Sequence, residues 1–271
     1  MIYLLAAVTV LLLLILFLVL PAPASQALRE PFQNCSFAHR GLHTKDRSVP
    51  ENSLAAFAAA AEQKLGIELD VQLSKDGQVV VFHDDTLDRV TGVKGQVDAY
   101  PLKELQAMHL CGTENTIPLF TQVLDVVAGR GPLIVELKTG PRNRELCQKT
   151  LAILRQYQGD YCIESFDPTI VGWFKKNAPD ILRGQLSDAQ RNLTVLSPFK
   201  GFLLSRCIGN FLARPQFIAW GPGPKNLLVK FIEGLGAIKI RWTVHPEDDP
   251  AALQQQYDAL IFEFYDAPRQ W

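Results

Sequence analysis

The stretch Ile67–Asp85, IELDVQLSKDGQVVVFHDD, decides the fold. In an extended strand, residues i and i+2 point the same way. Ile67, Leu69 and Val71 therefore share one face, and Glu68 and Asp70 share the other. Asp76-Gly77 reads as a two-residue type I′ hairpin turn, which needs positive φ at both positions. With that loop, Lys75 opposes Gln78, Asp70 opposes His83 and Glu68 opposes Asp85. Directly opposed side chains lie on one face, with Cβ atoms about 4.5–5.5 Å apart. The hairpin is thus expected to return a histidine beside an acid pair. A one-residue slip would move each of these side chains to the opposite face.

Outward from this hairpin, apolar runs alternate with helical patterns. Strands are expected at 36–39, 67–73, 132–138, 161–165, 181–186, 216–220, 237–244 and 259–264. Helices are expected at 53–63, capped by Asn52 or Ser53, and at 119–128, 144–157 and 168–177, the last opened by Asp167-Pro168. Eight strands separated mostly by helices, in about 245 residues, predict a closed TIM-type (β/α)8 barrel with the hairpin inserted after the second strand. Residues 187–235, rich in Pro and Gly, give the weakest pattern.

The 132–138 strand repeats the logic of the hairpin. In VELKT, Glu136 and Lys138 share one face, and Val135 and Leu137 share the other. The outer face of a barrel lies under apolar helices, so the charged faces should point inward or to the C-terminal rim, where barrel enzymes build their sites. Glu68, Asp70 and Glu136 offer hard oxygen donors that suit Mg²⁺ or Ca²⁺. His39 and His83 suit proton transfer at neutral pH. Arg40 and Lys138 suit an anionic oxygen such as that of phosphate. An internal ion-pair network, Glu136 with Lys138 for example, would explain any one of these residues. It does not readily explain all seven at strand ends of one barrel.

Composition narrows the partners. The 271 residues are 48% hydrophobic with formal net charge -1, and no dense Lys/Arg run suggests a nucleic-acid groove. Five scattered cysteines (Cys35, Cys111, Cys147, Cys162 and Cys207) lack C-x-x-C spacing and read as free thiols of a reducing compartment rather than zinc ligands. Ile2–Leu20 carries no charge and has the length of a bilayer-spanning helix. A cleaved signal peptide is the alternative, with Ala22-Pro23-Ala24 as its small-residue site. The absence of Lys or Arg before the run and its length favour a retained single-pass anchor. Arg29, Arg40, Lys45 and Arg47 follow it, which places the main domain on the cytoplasmic side. The expected division is an anchor at 1–24, a linker at 25–35 and the barrel at 36–271.

The sequence resembles the glycerophosphodiester phosphodiesterase family. The resemblance rests on AHRG (Ala38–Gly41), PENSLAAF (Pro50–Phe57), GIELDVQLSKDGQVVVFHDDTLDR (Gly66–Arg89), VELK (Val135–Lys138), ESFDP (Glu164–Pro168) and WTV (Trp242–Val244). It implies a TIM-type barrel that hydrolyses glycerophosphodiesters to glycerol 3-phosphate and an alcohol. It also implies Glu68, Asp70 and Glu136 as metal ligands, His39 and His83 as the acid–base pair, and Arg40 and Lys138 as phosphate partners. In the implied mechanism the substrate's 2-hydroxyl attacks phosphorus, and water then opens the cyclic phosphate. Two departures stand out. Glu263-Phe264 replaces an Asp-containing turn, with little chain left for a closing helix, and His245 stands where the family often has Asn. Glu51 and Trp242 are both candidates to line the site; Glu51 reads equally as a brace for His39 or Arg40, and Trp242 reads more readily as core than as a substrate platform. Two rival readings are a phospholipase D- or C-like lipid phosphodiesterase on a related barrel, which an assay of lysophospholipid beside glycerophosphocholine would separate, and a non-catalytic phospholipid- or glycerophosphate-binding barrel.

Overall fold

In the computed structural model, which describes residues 1–268, the chain folds as the expected barrel. The strands are β1 (Cys35–Ala38), β2 (Gly66–Leu73), β3 (Val79–Val81), β4 (Leu133–Leu137), β5 (Tyr161–Ser165), β6 (Arg183–Ser187), β7 (Phe217–Trp220), β8 (Ile238–Val244) and β9 (Ala259–Phe262). All but β3 run parallel. β1 pairs with both β2 and β9, which closes the sheet into eight strands. β3 is the inserted hairpin strand, antiparallel to β2.

The alternation read from the sequence sorts the two faces. Ile67, Leu69, Val71, Val135 and Leu137 are buried between sheet and helices, against Phe57, Ala60 and Phe120. Fully burying one such aliphatic or aromatic side chain stabilises by roughly 1.5–3 kcal/mol. Phe37, Ile134, Cys162 and Phe217 belong to a second buried cluster, with Phe32 stacked on Phe37. The helix Leu54–Glu62 starts at Ser53, whose hydroxyl accepts from Ala56 N–H at 3.1 Å. Its buried alanines allow close approach to the sheet. The five cysteines are free.

The hairpin register differs from the expectation. Val71 pairs with Val81 and Leu73 with Val79. Asp70 therefore lies opposite Phe82, one residue short of His83. The turn is the reason. Of the pair Asp76-Gly77, only Gly77 takes positive φ, at +75°, so the two-residue type I′ turn does not form. Gly77 N–H donates to the Ser74 carbonyl at 3.0 Å, and Ser74 N–H donates to the Gln78 carbonyl at 2.9 Å. This is the three-residue loop in which a left-handed glycine follows a type I turn. The Asp76 carboxylate accepts from Ser74 Oγ at 2.6 Å and from Leu102 N–H at 2.9 Å, which fixes the loop. A Cβ on Gly77 would also meet Lys149 Nζ at 2.6 Å. Gly77→Ala is expected to cost about 1–2 kcal/mol of stability through the left-handed backbone alone. Chemical denaturation reads that loss.

One helix, Ile2–Val19, is long and apolar enough to cross a membrane, with mean hydropathy 3.1; a signal sequence would fit the same description. It stands exposed except at its last turn. Val19 is buried beside Ile218, Val229 and Ile232. The Val19 carbonyl accepts from Asn210 Nδ2 at 3.0 Å, the Leu20 carbonyl from Arg214 at 2.9 Å, and the Pro23 carbonyl from Gln216 at 3.3 Å. Residues 19–23 thus grip the barrel, although the sequence grouped them with the anchor. Residues 269–271 of the range expected for the barrel lie outside the described residues.

Candidate active site

The site sits where barrel geometry puts it, at the C-terminal ends of the strands. Six of the seven candidate residues line one cavity of about 670 Å³: His39, Arg40, Glu68, His83, Glu136 and Lys138. Asp70, 1% exposed, completes the group from beneath. Asp70 and Glu136 are register partners on β2 and β4, and Glu136 pairs in turn with Glu164 on β5. One row of acids therefore crosses three adjacent strands.

Oxygen atoms of Glu68, Asp70 and Glu136 lie within 4.8 Å of one another. Burial raises the Glu68 carboxyl well above the usual range, and the charges of Asp70, Glu136 and Glu164 push it higher still. Glu136 and Glu164 are raised for the same first reason. Asp70 goes the other way. Burial opposes its charge, but His83, Lys138 and Arg40 together hold it well below the ordinary carboxylate range. Its Oδ2 accepts from Asn52 Nδ2 at 2.9 Å, while among the described residues buried Oδ1 has no hydrogen-bond donor and only the charged Lys138 Nζ nearby, at 3.4 Å. Hard oxygen donors, mutual repulsion and an undersatisfied buried carboxylate oxygen all fit a divalent cation.

The cations are placed with equal definition. Lys138 follows β4 directly and lies 2.9 Å from Glu136. Arg40 has left-handed backbone, φ +54°, a strained state that clusters at functional sites. Its backbone N–H donates to Glu68 at 3.0 Å. Gly41 beside it takes φ +80°, and a Cβ there would sit 2.9 Å from the Ala56 backbone. The R-G pair of the A-H-R-G stretch thus holds a tight turn under the site. Glu51 braces Arg40, at 2.7 Å, and also pairs with Arg89, whereas His39 has a different partner.

Each histidine is oriented by a carboxylate that pattern reading did not assign. His39 Nδ1 lies 2.6 Å from Glu263. Burial, reinforced by Arg40, pulls His39 down to about 4 against the opposing effect of Glu263. Glu263 is also 3.2 Å from both His43 Nε2 and His245 Nε2. His83 Nδ1 lies 2.6 Å from Asp84, which Arg89 Nε contacts at 2.6 Å. His83 reaches the site despite the shifted register because pairing with β2 stops one residue before it, at Phe82, whose N–H donates to the Asp70 carbonyl at 3.0 Å. Gln72 Nε2 then holds the departing chain by its Phe82 and Asp84 carbonyls, both at 2.8 Å. Glu263 and His245, visible only as departures from the family pattern, meet here. Trp242 is half-buried and lines the cavity wall, edge-on to Phe166 at 5.7 Å.

A buried carboxylate cluster between paired cations, with two carboxylate-held imidazoles at a barrel mouth, is equipment for hydrolysis of an anionic ester. The sequence profile of the Glycerophosphoryl diester phosphodiesterase family matches residues 39–267, and the chain belongs to that family. A glycerophosphodiester phosphodiesterase of Caldanaerobacter subterraneus subsp. tengcongensis is 35% identical over 230 residues, 78% of this chain and 86% of that protein. A lysophospholipase D of Rattus norvegicus is 31% identical over 155 residues, 52% of this chain and 47% of that one. An Oleispira antarctica phosphodiesterase, solved in complex with the product sn-glycerol-3-phosphate, superposes with TM-score 0.70 at 25% identity. That match covers 86% of this chain and 94% of the other. The chain is accordingly a phosphoric diester hydrolase acting on glycerophosphodiesters, and the non-catalytic alternative is set aside.

Proposed function

We propose that the chain hydrolyses glycerophosphodiesters to glycerol 3-phosphate and a free alcohol, with a divalent cation held by Glu68, Asp70 and Glu136. The observation that carries this reading is the three-carboxylate cluster within 4.8 Å, flanked by Arg40 and Lys138. The cation, Mg²⁺ or Ca²⁺, would supply charge stabilisation at the phosphoryl oxygens. Arg40 and Lys138 would hold the remaining phosphate charge. His39, buried and favoured in its neutral form, is suited to take the proton of the substrate's 2-hydroxyl as that oxygen attacks phosphorus. His83, paired with Asp84, is suited to give a proton to the departing alcohol. The same two groups with roles exchanged would open the cyclic phosphate with water.

The domain division remains a proposal: a single-pass anchor at 1–24, a linker at 25–35 and a catalytic barrel at 36–271 on the cytoplasmic side. The contacts of residues 19–23 make the end of the anchor part of the barrel's packing. A second reading, lysophospholipid cleavage, draws on the apolar cavity residues Phe166, Leu193, Val195 and Leu196. It also draws on the likeness to the rat lysophospholipase D. One assay addresses both. Purified chain is given glycerophosphocholine, glycerophosphoethanolamine, glycerophosphoglycerol and lysophosphatidylcholine, with Mg²⁺, with Ca²⁺ and with chelator. Metal-dependent release of glycerol 3-phosphate from the deacylated diesters is the expected result. Turnover of lysophosphatidylcholine alone would favour the second reading, and full activity in chelator would remove the cation from the mechanism.

A further inference from the structure

The segment joining β6 to β8 differs in character from the rest of the barrel. Beyond residue 20, the large hydrophobic side chains that are exposed fall almost wholly within 195–235. Val195 is 94% exposed, Leu227 84%, Phe199 71% and Phe231 47%, and among the described residues Phe264 alone lies outside the segment. Residues 189–237 carry six Lys or Arg against a single acid, Glu233, in a chain whose totals are 27 and 28. Glu233 is already paired with Lys225. Lys200 and Lys230 are exposed beside Phe199 and Phe231. The Arg206 guanidinium lies over the Phe202 ring at 3.9 Å, an apolar body with a charged tip of the kind that suits a membrane interface.

Two contacts place this lobe between the N-terminal helix and the cavity. The last turn of the helix rests on it, through Phe17 on Phe211 at 6.1 Å and Arg214 over Phe17 at 5.1 Å. At the other end, Leu193, Val195 and Leu196 form part of the cavity wall. Asn226 Nδ2 donates to the Ser205 carbonyl at 2.6 Å and ties the helix Leu227–Gly234 to the helix Pro198–Ser205.

We propose that residues 195–235 form a docking surface for an anionic bilayer, independent of the apolar helix, which brings the cavity mouth to the lipid surface. Charge selects the occupant. Excess Lys and Arg around exposed Phe and Leu match acidic headgroups over acyl chains, and the helix that fits a membrane span ends on the same lobe. The inference does not depend on which diester is cleaved.

Hydrogen–deuterium exchange tests it on the full chain in three settings: detergent, phosphatidylcholine nanodiscs, and nanodiscs with one third phosphatidylglycerol. Amides of 198–206 and 227–235 should exchange more slowly in anionic discs than in either of the others. Lys200→Gln and Lys230→Gln should each remove roughly fivefold of that protection, the worth of one cation near an acidic surface. Phe199→Ser with Leu227→Ser should remove it in any disc. All four positions are exposed, and unchanged turnover of a water-soluble diester confirms that the variants are folded. Equal exchange in the three settings overturns the proposal. So does protection in detergent that grows with protein concentration, because a second copy of the chain would then cover the face.

Discussion

Asp70→Asn and Glu136→Gln should each weaken Mg²⁺ or Ca²⁺ binding by at least about 100-fold. Loss of a group that merely supports a metal ligand costs roughly 10–100-fold, and loss of a ligand's charge should exceed that. Calorimetric titration of the chelated protein reads the effect. The three carboxylates then separate by their stability in chelator. Glu68 is raised by burial and by its acidic neighbours, so the fold disfavours its charge. Glu68→Gln should leave the chelated protein as stable as the wild type, or more so. Asp70 is held below its ordinary range by His83, Lys138 and Arg40 despite burial. Its charge stabilises the fold above the unfolded carboxyl pKa, and that contribution is lost as pH falls through the folded value. Asp70→Asn should therefore lose stability in chelator, because Lys138 and Arg40 each lose one of their carboxylate neighbours and keep only Glu136 and Glu51 as ion-pair partners. Equal metal affinity across the three variants and the wild type would sink the ligand assignment. A shared stability change would sink the electrostatic account.

The parts of this site that were legible in sequence are those governed by strand parity. Glu68 with Asp70, and Glu136 with Lys138, follow from the two-residue repeat, and the barrel's closure puts them face to face. The hairpin shows where that logic stops. Asp76-Gly77 fits two turn types that differ by one residue, and the side-chain bonds of Ser74 and Asp76 decide between them. His83 still enters the cavity, but through a loop held by Gln72 rather than through cross-strand pairing. Asp84 carried no periodic signal because it lies beyond the end of β3 at Val81, where side-chain direction is set by the loop rather than by the pleat. Glu263 fell inside the strand expected at 259–264 although β9 ends at Phe262, so its role came from the loop that follows. The lobe at 195–235 was opaque for another reason. Its exposed apolar residues blur the inside–outside contrast on which pattern reading depends.

His39→Ala and His83→Ala should each lower kcat by about 10²–10⁴, with smaller changes in KM, because a proton-transfer group acts mainly in the transition state. The two losses should respond differently to the leaving group. His83 is about a third exposed and bonded to Asp84, the arrangement suited to protonating a departing alcohol at the cavity mouth. His39 is deeper, between Glu263 and Glu68, and burial favours the neutral ring that can accept a proton. A glycerophosphodiester whose leaving group departs as a stable anion needs no general acid. With that substrate His83→Ala should recover most of its rate, while His39→Ala should not. The orienting carboxylates extend the test. Asp84→Asn should behave as a milder His83→Ala and recover with it. Glu263→Gln should behave as a milder His39→Ala, because it keeps the shape of the contact but removes the charge that fixes the imidazole's orientation. Equal recovery of both alanine variants would break the division of roles while leaving the site in place. Recovery of His39→Ala alone would reverse it, making His39 the acid and His83 the base.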